Sequence, residues 1–147
     1  MKKIAVLMTL VLMLCALPLT AFAAEPASPY AASNPPATPN WEYTAFMTST
    51  LYYEGTTMKC VSTVSAFAEV TCITIEHTLQ KQGLLWAWSK YDKDSVWTTI
   101  EYDSIAALST KKTVTESGKY RLKTVATVTN ENGKSEKITI YSETLEI

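Results

Sequence analysis

Proline does not occur after residue 39, histidine occurs once, glycine four times and cysteine three times, and no catalytic spacing is recognisable. Each scarcity excludes something. A single imidazole, His77, with two cysteines expected to pair, leaves too few donors for a zinc site. No Gly-x-Ser-x-Gly turn accompanies it, so the context of a hydrolytic nucleophile is missing. Thirteen Lys or Arg against fourteen Asp or Glu give a net charge of -1, which argues against a nucleic-acid partner. No cofactor motif stands out, and no second long apolar run follows the N-terminal one.

That N-terminal run is the first positive signal. Lys2 and Lys3 precede an almost wholly apolar stretch, Ile4 to Leu19, and Ala21-Phe22-Ala23 places small residues at a cleavage site. The pattern predicts a secretory signal peptide over residues 1–23. Pro18 and Thr20 interrupt the run, which disfavours a retained anchor, and Cys15 follows Leu14 deep in the apolar region, which disfavours lipidation. Removing 23 of the 147 residues leaves 124, with eleven cations against fourteen acidic residues, a mildly acidic product. The expected localisation is secreted and extracellular, with no membrane contact after cleavage.

Five of the six prolines lie between residues 26 and 39. Residues 24–40 are accordingly expected to be a disordered, extended leader rich in Pro, Ala and Ser. From Trp41 the texture changes to Thr, Val, Ile, Tyr and Trp, residues suited to a pleated sheet. Period-two alternation predicts strands. Tyr120, Leu122, Thr124, Ala126 and Val128 share one face, and Ile73, Ile75, His77 and Leu79 share another. Further strands are expected near 44–53, 57–66, 84–91 and 95–105, and Asn132-Gly133 suits a tight hairpin turn before 135–147. The parity change between Ile140 and Leu145 predicts a bulge or bend around Tyr141 to Thr144. About seven short strands without a helical period imply an all-β fold, an antiparallel immunoglobulin-like β-sandwich over residues 41–147.

Glu116-Ser117-Gly118-Lys119-Tyr120-Arg121-Leu122 resembles the approach to strand F of immunoglobulin-like domains, where a Tyr hydroxyl bonds back to the corner. That resemblance makes Tyr120 the candidate structural tyrosine corner, although Leu122 stands where antibody domains carry an inter-sheet Cys. Leu79-Gln80, the Trp86 and Trp88 region, Gly118 to Arg121 and Tyr141-Ser142 together resemble a group of small secreted proteins of Gram-positive bacteria. The resemblance spans residues 57–142 and implies a fold and a compartment, and no chemistry.

Few residues carry functional weight. Cys60 and Cys72, the two cysteines after the expected cleavage point, are expected to form a disulfide, with a hairpin centred near Ala66 setting them opposite each other. His77 reads as a structural or semi-buried residue. Glu101 and Asp103 would share a face of a strand and could serve a small glycoside hydrolase, although adjacent carboxylates on a strand are more often solvated. Asp92-Lys93-Asp94-Ser95 has the opening of a calcium loop without its Gly or closing Glu and reads as a connection. The rings of Trp86, Trp88, Tyr91 and Trp97 are the candidate ligand contacts, since flat aromatic groups provide large contact area at low ordering entropy. The expected function is a non-catalytic secreted interaction or adhesion-type domain whose partner is an extracellular protein or glycan; the alternatives are a carbohydrate-binding module and the carboxylate-dependent hydrolase.

Overall fold

The computed structural model describes Ala32–Ser33 and residues 40–147. The expected signal peptide and, apart from Ala32, Ser33 and Asn40, the Pro-rich leader lie outside the described residues.

The first sheet contains β1 (Ala32–Ser33), β2 (Thr44–Glu54), β3 (Thr57–Ala66) and β7 (Ile105–Thr113), side by side in that order. The second contains β4 (Val70–Gln82), β5 (Trp88–Lys90), β6 (Val96–Glu101), β8 (Lys119–Asn130), β9 (Ser135–Tyr141) and β10 (Leu145–Glu146). Every pairing is antiparallel. β4 and β8 form the centre of the second sheet; β5 and β6 share the free edge of β4, while β9 and β10 share that of β8. The chain makes the β2–β3 hairpin, crosses to β4, returns to lay β7 beside β3, then crosses again to lay β8 beside β4. This is the alternation of an immunoglobulin-like sandwich.

Alternating sequence becomes alternating burial. Along β8 each even residue from Tyr120 to Asn130 is buried and each odd one is half-exposed, and β4 buries Ile73, Ile75, His77 and Leu79. The hairpin at Asn132-Gly133 forms because the Asn130 side-chain oxygen accepts from the backbone N–H of both Asn132 and Lys134, while Gly133 takes a φ of 75° that a side chain would disfavour. The expected break near residue 142 is present. Ser142 exchanges hydrogen bonds with the Leu122 backbone through both its N–H and its Oγ, after which Leu145 turns inward. Tyr120 forms the corner: its ring is fully buried and its hydroxyl donates to the Glu116 carbonyl at 2.7 Å. Gly118 makes that corner possible, since its φ is 147° and a Cβ there would stand 2.9 Å from Lys81 Cε.

The core is divided. One apolar cluster includes Met47, Val64, Ile73, Ile75, Val128 and Ile138; the other includes Leu51, Met58, Cys60, Leu79, Tyr120 and Leu122. Between them runs a belt of buried polar side chains that the alternation concealed. Thr124 Oγ1 lies 2.8 Å from Ser49 Oγ and 2.9 Å from Ser62 Oγ; Ser62 Oγ lies 2.8 Å from His77 Nε2, and His77 Nδ1 lies 3.3 Å from Thr110 Oγ1. The chain of bonds joins both sheets through five side chains, and among the described residues every buried side-chain nitrogen or oxygen has a partner. Burial without a compensating charge pulls the His77 pKa down to about 4, so the imidazole is neutral at physiological pH.

Three expectations need correction. Residues 95–105 are not one strand: β6 ends at Glu101, and a turn leads into β7, which the sequence pattern missed. Residues 84–91 are not one strand either, because Leu84–Trp86 form a 3-10 turn. The Cys60–Cys72 disulfide is absent, and both residues are free thiols. β3 and β4 belong to different sheets, and Cys60 packs in the same cluster as Leu79. Leu79 lies seven residues along β4 from Cys72, about 23 Å at strand rise, far beyond the reach of a disulfide. Burial pushes the Cys60 thiol pKa up to about 12, against a smaller opposing effect of its hydrogen bond with Thr110, so it is inert as a nucleophile.

Candidate functional site

The Leu84–Trp86 turn, at the end of the β4–β5 hairpin, is where the surface departs furthest from expectation. Gln82 pairs with Trp88, and the Gly83 N–H donates to the Ala87 carbonyl at 2.8 Å, closing a three-residue loop. Hairpin loops of this length place a residue in the left-handed region, a position glycine ordinarily fills. Here Leu85 has a φ of 57° and Trp86 a φ of 64°. Leu84 is 92% exposed, Leu85 94% and Trp86 76%. Two branched aliphatic side chains and an indole thus stand in water, Leu85 and Trp86 on a backbone that disfavours them.

Behind the turn, on the outward face of the second sheet, lies a stacked ladder. The Arg121 guanidinium is 4.4 Å from the Trp88 ring centroid and 4.1 Å from that of Tyr141, and its Nε donates to Gln80 Oε1 at 2.8 Å. Two rings and an acceptor therefore hold the guanidinium in one orientation. Its partial desolvation draws its pKa below the ordinary arginine value. Lys119 adds a further contact, its ammonium 5.8 Å from the Trp86 ring centroid.

The four expected contact aromatics divide into two pairs. Trp86 and Trp88 lie at the turn and ladder. Tyr91 and Trp97 are half-buried against the apolar cluster around Tyr120, and Tyr91 meets the Tyr120 ring edge-on at 5.7 Å. None of the four tryptophans is fully buried, and the core aromatics are Tyr120, at 0% exposure, and Tyr43. Leu84 and Leu85 were the residues that sequence reasoning missed. The signal was the run Gly83-Leu84-Leu85-Trp86, in which a glycine precedes three apolar residues, a turn where a strand was expected.

The remaining candidates lie elsewhere. Glu101 and Asp103 are exposed; Glu101 Oε1 accepts from Thr99, and Asp103 Oδ1 accepts from the Ser104 backbone and hydroxyl. Glu101 pairs with Ile73, nine residues along β4 from the Gln82 partner of Trp88, about 30 Å away. The carboxylates and the exposed aromatic turn thus occupy opposite ends of the sheet. Asp92 closes a local turn through Asp94 and Ser95 and pairs with Lys112 at 2.6 Å, which holds its carboxyl below the usual range. A shallow groove of about 650 Å³ lies on the outer face of the first sheet, lined by Tyr52, Glu54, Thr57, Lys59, Val61 and Lys111. Among the described residues no group of three or more His, Cys, Asp or Glu is placed to hold a metal ion. Comparison with protein families, with characterised proteins and with solved structures finds no match for this chain.

Proposed function

We propose that this chain is a secreted, non-catalytic interaction domain that engages its partner with the Leu84–Trp86 turn and the adjoining Trp88–Arg121–Tyr141 ladder. The observation that carries the reading is the turn itself. Three large apolar side chains exposed side by side contribute nothing to the core, and contiguous exposed apolar surface marks an interaction site in a soluble protein. The ladder supports it, because stacked rings around an oriented guanidinium form a rigid surface with little entropy left to lose on binding. Export is proposed on the N-terminal pattern and on the resemblance to small secreted sandwich proteins. Glu101 and Asp103, with the exposed Tyr102 between them, stand at the far end of the sheet from the Leu84–Trp86 turn and the ladder, which favours binding over hydrolysis at that surface.

A carbohydrate-binding module is the second reading, favoured by Trp88 and Tyr141, each of which gives only one ring face to Arg121. Retention of the full chain on bacterial cell envelopes tests the leading reading. The parent is expected to be retained, and the Leu84→Ser/Leu85→Ser/Trp86→Ser variant to be lost with an unchanged melting curve. Equal retention of both proteins would refute it. Release of the parent by soluble oligosaccharides alone, with the triple variant behaving like the parent, would move the assignment to the second reading.

A further inference from the structure

We infer that the Leu84–Trp86 turn is a wedge for the interfacial layer of a phospholipid bilayer, with cations on the adjoining sheet face meeting anionic headgroups. The inference rests on the interaction reading above and names the class of its partner. Its basis is the order in which chemistry changes away from the turn. Leu84 and Leu85 form the most exposed part, followed by the Trp86 indole, followed by Lys119 beside that indole. Arg121 and Lys123 continue from Lys119 at two-residue spacing on the outward face of β8, and Lys90 lies across Gln80 from Arg121. Aliphatic, then indole, then cation is the succession that a bilayer interface accommodates from acyl chain through the interfacial region to phosphate.

Charge at this end of the sheet face agrees, although the chain as a whole is acidic. Against the four cations stand Glu146, 3.8 Å from Lys119, the exposed Glu143, and Asp94 in the loop after Lys90, where the exposed Lys93 adjoins it; Glu116 is taken up by Lys81 at 2.7 Å. A protein partner would need a pocket shaped to receive the turn, whereas a bilayer takes a convex apolar loop without one. The strained φ values of Leu85 and Trp86 fit the same account, since they hold bulky apolar groups where an easier residue would leave the loop bare. No helix among the described residues is long and apolar enough to cross a membrane, so contact by this domain would be peripheral. The sequence-based expectation of no membrane contact rested on the missing second apolar run, which speaks only to spanning segments.

Co-sedimentation of the full chain with vesicles tests the inference, using an equimolar mixture of phosphatidylcholine and phosphatidylglycerol beside phosphatidylcholine alone. The parent is expected to bind the mixed vesicles. Leu84→Ser/Leu85→Ser should weaken binding at least about tenfold, and Lys119→Gln/Lys123→Gln should reduce it toward the level on phosphatidylcholine. Acyl-chain bromination should quench parent tryptophan emission, and less so in Trp86→Phe. All variants carry the same N-terminal segment, so its own affinity for lipid cancels in these differences. A parent that stays in the supernatant, or a double serine variant that sediments equally, overturns the wedge. If the parent ignores vesicles but binds lipid-free envelope material through the same two leucines, the wedge fails and the interaction reading stands. If the leucines are dispensable on both, the two readings fail together.

Discussion

The belt at the centre of the sandwich and the turn at its end invert each other. At the belt, Ser49, Ser62, His77, Thr110 and Thr124 place polar groups where a sandwich of this size would ordinarily put aliphatic ones. At the turn, Leu84, Leu85 and Trp86 place apolar groups where a hairpin would ordinarily put Asn or Gly. The difference lies in satisfaction. Each belt group finds its partner inside the molecule, so the polarity is offset by hydrogen bonds and contributes to a single register between the sheets. At the turn Leu84 and Leu85 are almost wholly exposed and Trp86 meets the Lys119 ammonium, so most of its apolar surface stays in water. On the proposed reading, the polar interior serves the fold and the apolar exterior serves contact.

The comparison breaks most visibly at His77. Replacing it by Ala removes a fully buried ring and takes one hydrogen-bond partner each from Ser62 and Thr110, so a loss of about 3 to 5 kcal/mol is expected in urea denaturation. Replacing the belt jointly, as Ser49→Ala/Ser62→Ala/His77→Leu/Thr110→Val/Thr124→Val, should cost much less than that single change, because no member of the belt is then left without its partner. A joint variant as unstable as His77→Ala would show that the belt acts through shape and not through satisfaction.

Acid sharpens the same contrast. His77 binds a proton with a pKa of about 4 when folded, against about 6.5 when unfolded, so the unfolded state takes up the proton first. The associated stability is fully present above pH 6.5 and is lost as pH falls toward 4, by about 3 kcal/mol. His77→Gln should flatten this part of the pH profile, and matching profiles for variant and parent between pH 6.5 and 4 would count against a neutral buried imidazole.

Smaller effects follow at the corner and at the thiols. Tyr120→Phe removes the donor to the Glu116 carbonyl and should cost about 1 to 3 kcal/mol; a variant that melts like the parent would remove the corner from the account. In thiol labelling of the folded protein, Cys72 should react and Cys60 should react only on unfolding. An unreactive Cys72 joined to Cys60 in one non-reduced peptide pair would restore the disulfide.

What could be read from sequence follows from which residues do the folding. β8 was legible because Tyr120, Leu122, Ala126 and Val128 announce a buried face, and the corner because Tyr120 follows Gly118. β7 was not, since its inward positions are Ala106, Leu108, Thr110 and Lys112, of which two are polar and one is small. Thr110 is inward to meet His77, and Lys112 to meet Asp92, pairings that no local pattern reveals. The disulfide expectation failed for a related reason. The expectation makes strands 57–66 and 73–80 one hairpin centred near Ala66, whereas the chain changes sheets after Ala66, which puts Leu79 and not Cys72 beside Cys60. At the candidate site Trp86 and Trp88 were found by residue type. Leu84 and Leu85 were passed over because two leucines after a strand look like more strand.

The most direct test of a turn reserved for contact and not for folding is equilibrium urea unfolding of Leu85→Gly. Leu85 is 94% exposed at a φ of 57°, so the substitution relieves a left-handed leucine and removes no core contact. Greater flexibility of glycine in the unfolded chain offsets part of that relief. The account predicts stability unchanged or raised by up to about 1 kcal/mol. A loss of more than about 1 kcal/mol would mean that the leucine supports the fold, and would contradict it.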